Sequence, residues 1–266
     1  MPKYVRNIPI ILYMALFYGF IFLPVLALVL FSFQGSTLPV PPFDGPSLQW
    51  YREVFDDRNL MEALRNSLVV GLASASIATV LALLAAYALA RYRIFASNIV
   101  RAMLIAPLNV SYLVIGLGLL IMFNALSLPK SLVAVIIGHV VINFPICFAI
   151  IYSQLGERQA NLERAARDLG AAEWQVLTLI TIPLLYPAIF AGFALSFTLS
   201  WDEFIIALLL TRFDVTLPVE IDSLLRRGLN PKTNAIGSVV FGVSIALVLI
   251  AELIIFGRGA TNRDEQ

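Results

Sequence analysis

Long runs without a charged residue recur along this chain, and they constrain its fold more than any other feature. A helix must present about 20 apolar residues to cross a hydrocarbon core roughly 30 Å thick. Six runs meet that length: Ile8 to Phe33, Asn66 to Ala90, Ala102 to Leu126, Leu132 to Leu155, Pro187 to Thr211 and Asn234 to Phe256. The fifth contains Asp202 and Glu203, and the sixth carries Glu252 near its end, where an interfacial position is expected. Backbone groups in lipid must be paired internally, so runs of this length are expected to be helical. The chain therefore reads as an all-α integral membrane protein with about six transmembrane helices.

Composition agrees with that reading. Of 266 residues 60% are hydrophobic and 13% charged, whereas a soluble domain carries about 25% charged residues. A formal net charge of +1 gives no polyelectrolyte signature of the kind nucleic-acid binders show, so nucleic acid is not expected as a partner. Lys3 and Arg6 before the first run resemble the start of a secretory signal. That run is far longer than the 7–15 residues of such a segment, so a retained helix is expected. Six spans put both ends on one side, and Lys3, Arg6, Arg258 and Arg263 point to the cytoplasm, although Lys and Arg divide almost evenly between the two sides overall.

Catalytic chemistry finds no support. The only lysines are Lys3, Lys130 and Lys232, each preceded by proline, so no Gly-Lys-Ser/Thr phosphate loop exists. One histidine, His139, and one cysteine, Cys147, exclude a two-histidine metal helix and an intrachain disulfide. His139 falls in the fourth run, where a helix-packing hydrogen bond is the expected role and a proton relay the alternative.

The connection from Gly156 to Pro183 departs from this apolar pattern. Residues 162–169 are helix formers, Gly170 stands where a left-handed residue ends a helix, and a second short helix can start near Ala171. Ala165, Ala166, Ala171 and Ala172 keep the surface of this two-helix knob low, with Arg164, Arg167, Asp168 and Glu173 around it. Such a surface suits a helix-in-groove contact.

On Ala165, Ala166, Leu169, Gly170, Ala171, Ile180 and Pro183, at the family's spacing from glycine to proline, the segment resembles the signature loop of binding-protein-dependent ABC importer permeases. The glutamate of the family pattern falls on Arg164, with Glu163 beside it. The likeness covers the second to sixth spans, and AGFALSFTLSWDEFIIALLL most resembles the spermidine/putrescine branch. The resemblance implies a type I importer permease fold in a bacterial inner membrane. It implies a homologous second permease, two copies of a cytoplasmic ATPase that bind the ATP and Mg, and a periplasmic binding protein; no cofactor belongs to this chain. Glu163, Arg164, Ala165, Ala166, Leu169, Gly170 and Ala171 would then contact the ATPase, with Glu163 as the available acid. Residues 1–66 would form an N-terminal helix and periplasmic segment, 67–256 the permease core with its coupling loop at 156–183, and 257–266 a cytoplasmic tail.

Asp202 and Glu203 are candidates for the substrate path. With a rise of about 1.5 Å per residue from Pro187, Asp202 comes roughly 22 Å along a helix, in the outer half of the membrane. A buried charge there costs at least about 2.5 kcal/mol. A water-filled path for a cation offsets that cost, as does an ion pair with a basic residue such as Arg212, or snorkelling of the carboxylates to the outer surface. Phe197, Trp201 and Phe204 could wall a cationic substrate or serve packing alone. Outside the membrane, the proline-rich stretch from Gln34 leads to an amphipathic segment ending near Arg65, and Asp214 to Lys232 reads as a second surface segment. By the resemblance these receive the binding protein. The expected activity is ATP-driven polyamine import by alternating access. The alternatives are another small organic solute on the same machinery, or a secondary transporter driven by an ion gradient, which would show inverted repeats.

Overall fold

The computed structural model describes residues 3–228 and 230–261 and consists of helices and their connections. The side chains of Lys3, Arg6, Glu252, Arg258 and Arg263 lie outside the described residues. In chain order the α-helices are α1 (Lys3–Ser32), α2 (Gln49–Asp56), α3 (Arg58–Arg91), α4 (Ser97–Ile105), α5 (Tyr112–Ala125), α6 (Leu132–Gln154), α7 (Glu157–Asp168), α8 (Glu173–Val176), α9 (Ile182–Trp201), α10 (Ile205–Leu210), α11 (Leu217–Arg227) and α12 (Pro231–Thr261).

Four helical stretches among the described residues are long and apolar enough to cross a membrane: Ile10–Ser32, Arg58–Arg91, Leu132–Gln154 and Glu173–Trp201. The last includes α8 and α9, joined by a π-helical turn at Leu177–Thr181. That wider turn precedes Pro183 and Pro187, whose missing N–H groups remove two bonds from the regular ladder. The third expected span is broken. α4 and α5 meet at an angle of 105° through a 3₁₀ turn that begins Ala106-Pro107, and the pair counts as one span only together. The sixth expected run falls within the 31-residue α12.

The chain forms two compact units. One joins the chain up to Met61 with Ile221–Leu247, and the other comprises Glu62–Glu220 with the chain from Val248 on. In the first, Gln34 organises the stretch after α1: its Nε2 donates to Ser36 Oγ at 2.8 Å and to the Pro42 carbonyl at 3.0 Å, and its own carbonyl accepts from Trp50 Nε1 at 2.7 Å. Lys232 Nζ donates to Asp57 Oδ2 at 2.6 Å and ties the start of α12 to the connection between α2 and α3.

The second unit is built on small residues that let helices approach. Ala75, Ala78, Ala82 and Ala86 of α3 are fully buried, and Ala78, Ala82 and Ala86 pack with Cys147, Phe148, Ile151 and Leu185 of α6 and α9. α10 sits against Gly138 of α6, where a Cβ would come within 2.5 Å of Ile206 Cγ2. Membrane helices associate through such close packing because lipid supplies no hydrophobic drive. One end of this unit carries Arg91, Arg93, Arg101, Arg158, Arg164 and Arg167; Arg65, Lys130 and Arg212 lie at the other. The arginine-rich end is the one that carries α7 and α8.

Candidate functional site

At the arginine-rich end, α7 and α8 form the expected two-helix knob. Gly170 has φ +89, a left-handed conformation that glycine adopts without penalty. Its N–H donates to the Arg167 carbonyl at 2.9 Å and that of Ala171 to the Ala166 carbonyl at 3.0 Å, the two bonds of a Schellman motif. α8 starts two residues later than expected, at Glu173, because Gln175 Oε1 accepts from Ala172 N at 2.8 Å and fixes the turn there. Arg167 Nε donates to Glu173 Oε1 at 2.7 Å across the turn, so the two helices are held together on both sides. Leu169 is 90% exposed and Trp174 66%.

Glu163 does not face outward. Its side chain is 0% exposed and directed into the end of the helical unit. Arg91 Nε donates to its Oε2 at 2.6 Å, Arg91 Nη2 to its Oε1 at 3.2 Å, and Thr181 Oγ1 to Oε1 at 2.9 Å. A buried carboxylate persists only when its charge is paired and its lone pairs are filled, and this one meets both conditions. The knob is thereby fastened to the last residue of α3 and to the turn before α9. Arg164 is exposed outside this cluster, its Nε donating to the Ala160 carbonyl at 3.3 Å and its Nη2 to Oε2 of the exposed Glu157 at 3.4 Å.

At the other end, Trp201, Asp202 and Glu203 close α9, and the helix stops there instead of running on to Thr211. Glu203 is buried and accepts from the N–H groups of Ile205, Ile206 and Ala207 at 2.9–3.2 Å, which makes it the cap of α10. It also approaches His139 Nε2 at 3.4 Å. His139 Nδ1 and Ser200 Oγ are 2.6 Å apart, and Ser200 meets Ser74 of α3 at 3.0 Å, so the histidine joins α6 to α9 as the packing role requires. Trp201 is buried against Phe197. Asp202 alone of the three is exposed, and it has no partner among the described residues. The ion pair with Arg212 is not formed, since that guanidinium lies 4.9 Å over the Phe213 ring.

The structure thus gathers Glu163, Arg164, Ala165, Ala166, Leu169, Gly170 and Ala171 into one knob and leaves Asp202 and Glu203 adjacent in sequence but in opposite environments. Sequence reasoning missed Arg91 and Thr181. A charge closing an otherwise uncharged span was the available signal for Arg91. Hydropathy carried none for Thr181.

The chain matches the family described as "Binding-protein-dependent transport system inner membrane component" over residues 78–259. It is 30% identical to the spermidine/putrescine transport system permease protein PotC of Escherichia coli (strain K12), over 91% of this chain and 92% of that protein. It is 34% identical to the putrescine transport system permease protein PotI of the same strain, over 89% of each. Among solved structures, a bacterial ABC transporter involved in the import of the acidic polysaccharide alginate superposes with a TM-score of 0.69, covering 97% of this chain and 98% of that one at 18% identity. At that identity the likeness concerns the fold.

Proposed function

The chain belongs to the family of inner-membrane components of binding-protein-dependent transport systems, and on that premise we propose that it is a permease subunit of an ATP-driven importer of polyamines. It pairs with a homologous permease over two copies of a cytoplasmic ATPase and receives its substrate from a periplasmic binding protein. ATP and Mg bind to the ATPase. The observation that carries the coupling role is the knob: a rigid, exposed two-helix projection whose buried Glu163 is bonded to α3 and to the turn before α9. A partner that pulls on such a projection moves membrane helices and not a loose loop. Polyamine as substrate is supported by two relatives that match along about nine-tenths of the chain, and by an exposed carboxylate at Asp202 that suits a cation.

This construction supports alternating access. When the two ATPase subunits close, the knob carries the inner ends of α3 and α9, and the break after Trp201 allows α10 to stay against α5 and α6. Asp202 stands at that break and is the group we assign to the path. Glu203 is assigned to holding α10, not to substrate.

The test is to express the chain together with candidate ATPase, second-permease and binding-protein subunits from the same organism and to purify through a tag on this chain. Recovery of both partners, with ATP hydrolysis stimulated by spermidine- or putrescine-loaded binding protein, is expected. Stimulation by a different organic solute would keep the machinery and replace the substrate. Transport by this chain alone down an ion gradient would overturn the proposal.

A further inference from the structure

Arg164 of the knob is held by two long bonds, from its Nε to the Ala160 carbonyl at 3.3 Å and from its Nη2 to Glu157 Oε2 at 3.4 Å. α7 turns about 100° per residue, and Glu163 points inward, so Ala165 lies near the opposite side, with Arg164 on one flank and Leu162 on the other. Leu169, at the turn, extends the Leu162 flank. Arg164 is 62% exposed in its side chain, and its contact partner Glu157 is 92% exposed. A cavity of about 560 Å³ opens beside it, lined by Arg91, Tyr92, Tyr152, Glu157, Arg164 and Arg167 among others.

A partner that seats on Ala165 comes close, because alanine leaves the helix surface low, and it covers Leu162 and Leu169 with apolar contact. It also removes Arg164 from water. An arginine desolvated at an interface without an opposite charge costs several kcal/mol, and a carboxylate is the group whose geometry matches its planar fork. Glu163 cannot supply that carboxylate, because both its oxygens are engaged inside the chain. The exposed Glu157 is too loosely held to serve once the surface is covered.

We infer that Arg164 is a contact residue for an Asp or Glu carboxylate in the ATPase groove, so that the charge at this position of the interface is supplied by the permease as a cation. This rests on the proposed docking of an ATPase onto the knob. The negative partner is expected at the groove wall that faces Arg164, opposite the wall that receives Leu162 and Leu169.

The experiment uses the full complex. Arg164→Lys keeps the positive charge and introduces an amine that a zero-length carbodiimide reagent can join to a carboxylate in direct contact. The chain's own lysines are Lys3, Lys130 and Lys232, so a new cross-link is assigned by mass spectrometry to position 164. The expected product joins that position to an Asp or Glu of the ATPase, and it disappears when that acid is changed to its amide. In parallel, Arg164→Glu should lower the ATPase recovered with the permease about tenfold, while Arg164→Lys retains it. Equal recovery with Arg164→Glu, or a cross-link only to Glu157 of the same chain, would overturn the inference while leaving the docking intact. Failure of the unaltered chain to recover any ATPase would overturn the docking itself, and this contact with it.

Discussion

Arg91 and Glu163, 72 positions apart in sequence, meet in a two-bond ion pair with N–O distances of 2.6 and 3.2 Å, and the carboxylate is fully buried. Removing one partner of such a pair leaves an uncompensated charge, which costs about 3–5 kcal/mol. Glu163→Gln and Arg91→Ala should each lower the melting temperature of the purified complex by roughly 10 °C. The double variant should lose less than the sum of the two, and a thermal denaturation series on the four proteins reads this coupling directly. Additive losses would show that the pair does not hold the knob.

Gly170→Val tests the turn. No atom lies within 4 Å of a Cβ built there, so the substitution meets no clash, and its effect comes from φ +89 alone. A β-branched residue in that region costs on the order of 1–3 kcal/mol. Membrane insertion should be unchanged while ATP-dependent uptake falls severely. Gly170→Asn, which tolerates the left-handed region, should recover most of it. Normal uptake with valine would separate the turn from coupling.

Asp202 and Glu203 should part company under the same amide substitution. Asp202 is exposed and unpartnered, so Asp202→Asn should leave the melting temperature unchanged and lower polyamine uptake about tenfold. Glu203→Gln weakens the cap of α10 and should destabilise the complex by about 1–3 kcal/mol. A stable Asp202→Asn complex with full uptake would take Asp202 out of the path.

Outside the membrane, burial opposes ionisation of Asp57, but its bond to Lys232 and the N–H groups of Leu60 and Asn59 outweigh it, holding its carboxyl below the usual value of 3.8. A carboxyl depressed on folding contributes stability above its unfolded pKa and loses it as the pH falls through the folded one. Asp57→Asn should therefore lower the melting temperature by about 2–4 °C at pH 7. The difference should shrink once the pH falls below the usual carboxyl value of 3.8 and through the lower folded one. The check is a melting series with pH in which the two curves converge on the acid side.

The features legible in the sequence were those encoded locally. Uncharged length located the spans, and glycine after a run of helix formers located the Gly170 turn, because a Schellman motif involves only residues close in sequence. What the sequence did not disclose depends on encounters between distant segments. Glu163 and Arg164 are adjacent and both charged, and which of them turns inward is decided by Arg91 and Thr181, supplied by other helices. The end of α9 was misplaced for a related reason. Apolar residues continue beyond Glu203, and only the capture of three N–H groups by its carboxylate shows that a new helix begins there. The break between α4 and α5 at Ala106–Asn109 was masked in the same way by an uninterrupted apolar run.

Uptake in proteoliposomes tests the central claim most directly. The complex of this chain with its second permease and ATPase is reconstituted with ATP inside, and loaded binding protein and radiolabelled spermidine or putrescine are added outside. The account predicts accumulation that requires both ATP and the binding protein and that persists when ion gradients are collapsed by ionophores. Accumulation that survives removal of ATP and disappears with the ion gradient would contradict it.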